Sequence, residues 1–130
     1  MTTDLFYLAL TALLTASLWI LYVVCQVMVN GFLQPPNYID PTVRPMPLWG
    51  HRAHRAYLNA VEVFAPFAVL VILIFLTGKE NATTAFLTVT FFWLRVIHAF
   101  VYWFAVAYIR TIVFTLGFFV VVGLFIELIK

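Results

Sequence analysis

The residues best suited to chemistry form a polar stripe near the start of an apolar segment. Arg52, Arg55, Asn59 and Glu62 follow one another at spacings of three, four and three residues. At about 100° per residue in an α-helix, the four side chains fall within roughly 80° of one another. Arginine forks bind anionic groups and a carboxylate balances a cation, so this stripe is predicted to line a polar pocket that orients a ligand.

A second stripe follows later in the chain. Arg95, His98 and Tyr102 are spaced by three and four residues, and Arg95 is the deepest basic residue in the chain. A charged side chain inside a membrane is costly unless it is paired, so we expect Glu62 to face the protein interior. The simplest partner is Arg95, in a structural ion pair that is also able to orient a ligand.

Two further features lie close to these stripes. Pro66 follows Glu62 by four residues and has no N–H, which predicts a kink that frees the Glu62 carbonyl. A simple proline kink with no functional role is an alternative that the sequence supports equally well. Arg110 by itself is typical of a membrane-anchoring residue, and Thr111 follows it.

Composition places these residues in a membrane protein. Of the 130 residues, 65% are hydrophobic and 9% are charged, against about 45–50% and 25% in soluble domains. This excludes a soluble monomer and a disordered chain.

The net charge of +2 gives no basis for nucleic-acid binding. The lone cysteine, Cys25, excludes a disulfide scaffold, and His51 and His54 without a third ligand nearby argue against a metal site.

The positions of the apolar segments predict an all-α, integral membrane, up-down four-helix bundle that forms a single domain over 1–130. Its helices are expected over about 5–29, 51–77, 82–108 and 110–129. Only the connection between the first two spans is long, and because it is rich in proline we expect an irregular loop there.

The basic residues near the ends of the spans predict the orientation of the bundle. The first and third connections lie on one side, with Arg44, Arg52, Arg55 and Arg110, and the other side has Lys79 and Lys130. The arginine-rich side is therefore expected in the cytoplasm, with both termini outside. Short loops and the lack of a targeting segment favour a bacterial inner membrane.

The polar stripes resemble the MAPEG family, the membrane-associated proteins of eicosanoid and glutathione metabolism. The family's second-helix pattern is Arg-x-x-Arg-Ala-x-x-Asn-x-x-Glu, followed by Pro-Phe. It reads here as Arg52, Arg55, Ala56, Asn59, Glu62, Pro66 and Phe67. The second stripe is similar to the third-helix pattern of the family, and Arg110 is similar to the arginine that begins its fourth helix. The resemblance covers nearly the whole chain.

The resemblance implies a homotrimer that binds glutathione, as a co-substrate, between neighbouring subunits near the cytoplasmic face. It implies that the ligand is held by Arg52, Arg55, Asn59, Glu62, Arg95, His98 and Tyr102. Arg110 would stabilise the glutathione thiolate, with the Thr111 hydroxyl assisting. The expected reaction is conjugation of glutathione to an apolar electrophile that enters from the lipid bilayer, or reduction of a lipid hydroperoxide.

Two alternatives stay open from the sequence. Phe114 stands where several relatives carry a tyrosine, and the first span lacks an arginine that relatives often have, which favours a non-catalytic family member that still binds glutathione. The other alternative is a small channel or transporter subunit in which Glu62 and Arg95 line a pathway.

Overall fold

The computed structural model describes residues 1–32 and 45–130, and it contains five helices in that part of the chain. They are α1 (Thr3–Ser17), α2 (Trp19–Asn30), α3 (Leu48–Leu76), α4 (Ala82–Trp103) and α5 (Ala107–Ile129). A turn at Leu18 separates α1 from α2, which together form one membrane span. Arg44 and most of the proline-rich connection lie outside the described residues.

Four segments of the described chain are long and apolar enough to cross a membrane, which confirms the predicted number of spans. α4 packs against α1, α3 and α5, while α3 also packs against α1, α2 and α5. The described residues contain no strand. The chain is therefore an integral, multi-pass membrane protein built as an all-helical bundle.

The hairpin between α3 and α4 is fixed by two local signals. α3 is followed, after Thr77, by Gly78 at a φ of 66°, and the Lys79 amide donates to the Ile74 carbonyl over 3.0 Å. This is the left-handed helix ending that favours glycine. α4 then begins with a capping box, since Asn81 Oδ1 accepts from the Thr84 amide over 3.0 Å and Thr84 Oγ1 accepts from the Asn81 amide.

The turn between α4 and α5 lies earlier than the sequence predicted. α4 ends at Trp103 rather than at residue 108, and α5 begins at Ala107. The Val106 amide donates to the Val101 carbonyl over 3.1 Å, so this helix end has the same hydrogen bonding as the end of α3. Ala105 takes the left-handed position, with a φ of 57°. Because an alanine stands where glycine is usual, the sequence carries no signal for the turn.

The core lies between α3, α4 and α5 in the half of the bundle away from the arginines. Phe67 and Phe91 stack with their ring centroids 3.9 Å apart, and both are fully buried or nearly so. Around them lie Val71, Ile74, Val120 and Leu124. α3 continues through Pro66 as one helix. This packing holds the three helices that carry the predicted site.

The two ends of the bundle differ in their charged residues. At one end Lys79 Nζ donates to the Leu128 carbonyl over 2.6 Å, and Thr2 Oγ1 donates to Glu80 over 2.6 Å. The described arginines on α3 and α5 lie near the opposite end, where those helices begin. The predicted separation of arginines from lysines therefore holds for the described residues.

Candidate functional site

Arg95 is the centre of the polar site within the chain. Its side chain is only 5% exposed, on the face of α4 that meets α3. Arg95 Nη2 donates to Asn59 Oδ1 over 3.0 Å and lies 3.2 Å from His98 Nδ1. Asn59 and His98 are thus joined through one guanidinium, which connects the two polar stripes at a single point.

The predicted ion pair between Arg95 and Glu62 is wrong for the single chain. Glu62 is exposed on the surface of the bundle, and among the described residues the one ion pair joins Lys130 to Glu127. The physical reason is the helical rotation of about 60° between residues three apart. When α3 turns Asn59 towards Arg95, it turns Glu62 outward.

The α3 stripe therefore divides into two rows, each with members seven residues apart. The inner row is Arg52 and Asn59, which contact α4. The outer row is Arg55 and Glu62, which are both exposed. Two turns of helix bring residues seven apart back to nearly the same direction. The stripe is a continuous polar edge, but only half of it faces the bundle interior.

Arg52 holds the end of α4 in place. Its Nε donates to the Trp103 carbonyl over 3.2 Å, one of the carbonyls left without an intrahelical partner where α4 stops. A cation at a helix C-terminus is also favoured by the helix dipole. The sequence missed this contact because the turn position was not predicted.

A second group of contacts brings α5 to the same place. Arg110 Cζ lies 4.9 Å from the centroid of the Tyr102 ring, a cation–π geometry. The Tyr102 ring lies 5.5 Å from the His98 ring, and His98 lies 6.5 Å from the ring of Phe114. Arg110 is itself exposed, in the first turn of α5, and Thr111 beside it is exposed as well. The structure therefore places the predicted thiolate-stabilising pair at the edge of the buried cluster.

A cavity of about 190 Å³ lies below this cluster, between α3, α4 and α5. Its lining is apolar apart from one charged side chain, and consists of Val63, Pro66, Phe91, Arg95, Phe114, Gly117, Phe118 and Val121. A methyl group added at Gly117 would meet nothing within 4 Å. The sequence did not predict this cavity, because α5 contains two glycines, Gly117 and Gly123, and only Gly117 lines it.

The other candidate residues are used in packing. His54 packs on the Tyr22 ring with the centroids 4.5 Å apart, at the arginine-rich end. Within residues 1–32 and 45–130, no three His, Cys, Asp or Glu side chains are grouped so that they could hold a metal ion. Cys25 is fully buried between α2 and α3.

Comparison with known proteins settles the family. The sequence model of the MAPEG family matches residues 5–130, essentially the whole chain. The chain belongs to the MAPEG family. As a MAPEG protein it is a membrane protein related to glutathione or eicosanoid metabolism. No curated protein and no solved structure matches it.

The site of this MAPEG protein can therefore be described as three parts. The inner part joins the partly buried Asn59 to the buried Arg95 and His98, and the edge part joins Tyr102 to Arg110. The exposed part is the outer row on α3. Together they offer cations, neutral donors and one carboxylate beside an apolar cavity, which suits a polar ligand with negative charge next to an apolar one.

Proposed function

We propose that this MAPEG protein is a glutathione-dependent membrane enzyme that conjugates glutathione to apolar electrophiles or reduces lipid hydroperoxides. The observation that carries the proposal is a connected group of polar side chains from three helices. Its members are Asn59, Arg95, His98, Tyr102 and Arg110. A connected group of donors beside an apolar cavity fits a reaction between a polar and an apolar substrate.

The outer row of α3 matches the charges of glutathione, which carries two carboxylates, one ammonium and one thiol. Arg55 would bind a carboxylate through its fork, and Glu62 would accept from the ammonium or a peptide N–H. The two side chains are two helical turns apart, about 10 Å along the axis. This distance suits groups at different ends of an extended tripeptide.

The same outer row supports an oligomer. Arg55 and Glu62 are exposed on a chain that spans a membrane, and charged groups that face acyl chains are strongly disfavoured. A second copy of the chain would remove both from lipid and enclose the ligand. We therefore propose a homotrimer in which glutathione lies between neighbouring subunits.

The inner residues would complete the glutathione site. Arg52 donates from its Nε to the Trp103 carbonyl. Its two terminal nitrogens have no partner among residues 1–32 and 45–130 and would bind the ligand. Asn59 holds Arg95, and His98 and Tyr102 lie between Arg95 and Arg110. These residues would bind and orient the peptide so that its thiol lies at the start of α5.

Arg110 would activate the thiol. A free thiol has a pKa of about 8.5 and is mostly protonated at neutral pH, while the thiolate is the nucleophile. A guanidinium beside the sulfur favours the anion, and each pKa unit corresponds to about 1.36 kcal/mol. The first turn of α5 adds unpaired amides that favour negative charge, and the Thr111 hydroxyl would donate to the sulfur.

The cavity beside Arg95 and Phe114 would receive the apolar co-substrate. It is larger than the cavity of about 150 Å³ that holds a benzene molecule in an engineered protein. In conjugation, the thiolate sulfur forms a bond to the electrophilic carbon and a leaving group departs or the product takes up a proton. In peroxide reduction, the sulfur takes the terminal oxygen, an alcohol leaves, and a second glutathione gives the disulfide and water.

The arginine-rich end would face the cytoplasm, with both termini outside. Among the described basic residues, Arg52, Arg55 and Arg110 lie near this end and Lys79 and Lys130 near the other. An excess of basic residues is typical of the cytoplasmic side. This orientation would present the site to cytoplasmic glutathione.

The proposal is tested by equilibrium binding of glutathione to the detergent-solubilised protein. We expect saturable binding at millimolar glutathione, weakened about tenfold or more by Glu62→Gln, because a charge-assisted hydrogen bond is lost. The matched control is Glu127→Gln, at the opposite end of the bundle. Absence of binding at millimolar glutathione, or equal effects of the two variants, would refute the proposal.

A second candidate is a non-catalytic member that binds glutathione without turning it over. The specific observation is Phe114, which faces His98 at the cavity and has no hydroxyl to offer the thiol. Tight binding with no product from a broad panel of electrophiles and hydroperoxides would favour it. The channel alternative gains no support, because Glu62 is exposed while Arg95 is buried, so they do not line one pathway within the chain.

A further inference from the structure

The hydrogen bonds of Arg95 determine where His98 carries its proton. Arg95 Nη2 lies 3.2 Å from His98 Nδ1 and donates to Asn59 Oδ1 over 3.0 Å. A guanidinium has five N–H donors and no acceptor. The contact with His98 is therefore a hydrogen bond only if Nδ1 accepts, which leaves the single ring proton on Nε2.

Each hydrogen of Arg95 Nη2 has an acceptor. This nitrogen carries two hydrogens, and the structure provides it with two acceptors, one from α3 and one from the next turn of its own helix. Both Arg95 and His98 are buried, with 5% and 2% exposure. Water therefore has little access to exchange with either bond. The orientation of the Asn59 amide follows from the same rule, since only its oxygen accepts.

We propose that Asn59 and Arg95 are positioning residues that fix His98 as the Nε2–H tautomer. His98 is then a hydrogen-bond donor to an acceptor on the bound ligand and is not the base that removes the thiol proton. The assignment of the tautomer stands on the geometry alone, while its consequence for catalysis rests on the proposed glutathione chemistry.

The consequence follows from counting the lone pairs of the ring. Nδ1 is already bonded to Arg95, and Nε2 already carries a hydrogen, so neither nitrogen has a free lone pair to accept a proton. The thiol proton must therefore leave to solvent or to another group. Activation of the sulfur then depends on stabilising the anion, the role proposed for Arg110, and not on general-base catalysis.

The tautomer is measured directly by NMR on the full-length protein labelled with ¹⁵N in its histidines. The chain has three histidines, and replacing His51 and His54 by glutamine leaves His98 as the only labelled ring. We expect a protonated Nε2 and an unprotonated Nδ1, with a tautomer ratio of at least about tenfold, the value of one hydrogen bond of roughly 1.4 kcal/mol. An Nδ1–H ring, a doubly protonated ring or an equal mixture would overturn the proposal.

Variants of the two positioning residues test the cause of that preference. Asn59→Asp keeps an acceptor for Arg95 and should keep the parent ratio, whereas Asn59→Leu removes the acceptor and should lower it. Arg95→Met removes the donor and should lower the ratio by about tenfold. If the folded Arg95→Met or Asn59→Leu protein keeps the parent ratio, the two residues do not position the ring.

The role of His98 is tested by two variants that separate binding from thiolate formation. His98→Gln keeps an N–H donor near the position of Nε2 and should bind glutathione like the parent, while His98→Leu should weaken binding about tenfold or more. At saturating glutathione both should keep the parent's thiolate absorbance. Loss of that absorbance in both would identify His98 as a base and overturn the proposal. If the parent binds no glutathione but shows the expected tautomer, the positioning role stands and only the proposed function fails.

Discussion

Replacing Gly50 by alanine should separate α2 from α3 at the arginine-rich end. Gly50 lies in the first turn of α3, and a methyl group added there would overlap Cys25 Sγ and lie 3.2 Å from Cys25 Cβ. Cys25 is fully buried, and the added methyl group would be close to its Cβ as well as its Sγ. Overpacking of this kind costs typically about 1–3 kcal/mol.

The net effect follows from two opposing contributions. Alanine is favoured over glycine in a helix by up to about 1 kcal/mol, so Gly50→Ala should lower the unfolding free energy by up to about 2 kcal/mol overall. In a Cys25→Ala background the overlapping sulfur is absent. There the added methyl group still lies 3.2 Å from the Cβ of residue 25, which offsets part of the gain in helix propensity. The same substitution should therefore be close to neutral, which predicts a coupling energy of up to about 2 kcal/mol.

The assay is a double-mutant cycle of unfolding free energies, measured by denaturant titration in detergent micelles. Gly117→Ala is the matched control, because a methyl group there meets nothing within 4 Å and should be stabilising. Additive effects of Gly50→Ala and Cys25→Ala, within about 0.5 kcal/mol, would refute the close packing of α2 on α3.

Three further predictions concern the site and its surroundings. Ala105→Gly should raise the unfolding free energy, measured by denaturant titration, by about 1 kcal/mol, because Ala105 has a left-handed φ of 57°. Gly78→Ala, the reverse change at the matching position after α3, should lower the unfolding free energy in the same titration. Gly117→Leu should fill much of the 190 Å³ cavity and raise the KM for apolar co-substrates, most for the bulkiest, while glutathione binding is unchanged. An unchanged KM, or the same rise in KM for large and small co-substrates, would contradict this. Arg52→Met should speed hydrogen exchange at the α4–α5 turn, since it removes the bond to the Trp103 carbonyl; unchanged exchange would show that this bond does not hold the turn.

The spans were predictable from the sequence because lipid imposes a simple rule. Each crossing needs about 20 apolar residues as helix, and the interruptions at 30–50 and 78–81 are polar or rich in proline and glycine. At the second interruption the structure has a left-handed Gly78 and a capping box at Asn81, which are the local features that form this turn. The break at Leu18 and the end of α4 at Trp103 were not predictable, because apolar residues continue through both.

The sequence placed the candidate residues on two helix stripes, but it did not predict which of them contact each other. Helical spacing correctly grouped the α3 residues on one edge, but it did not set the rotation of the helix against its neighbour. That rotation, fixed by packing such as Phe67 on Phe91, decided that Asn59 and not Glu62 would meet Arg95. The contact of Arg110 with Tyr102 depends on the position of the turn, which the sequence did not reveal.

The central claim is that Arg110 holds glutathione as a thiolate at the start of α5. It is tested by the ultraviolet absorbance of the thiolate when glutathione is added to the wild-type protein and to Arg110→Ala, with binding measured in parallel. The claim predicts a thiolate signal in the wild type. In Arg110→Ala glutathione should still bind, but the thiolate signal should be lower than in the wild type, by about tenfold for each 1.4 kcal/mol of lost stabilisation of the anion. Equal thiolate signals from the two proteins at saturating glutathione would contradict it.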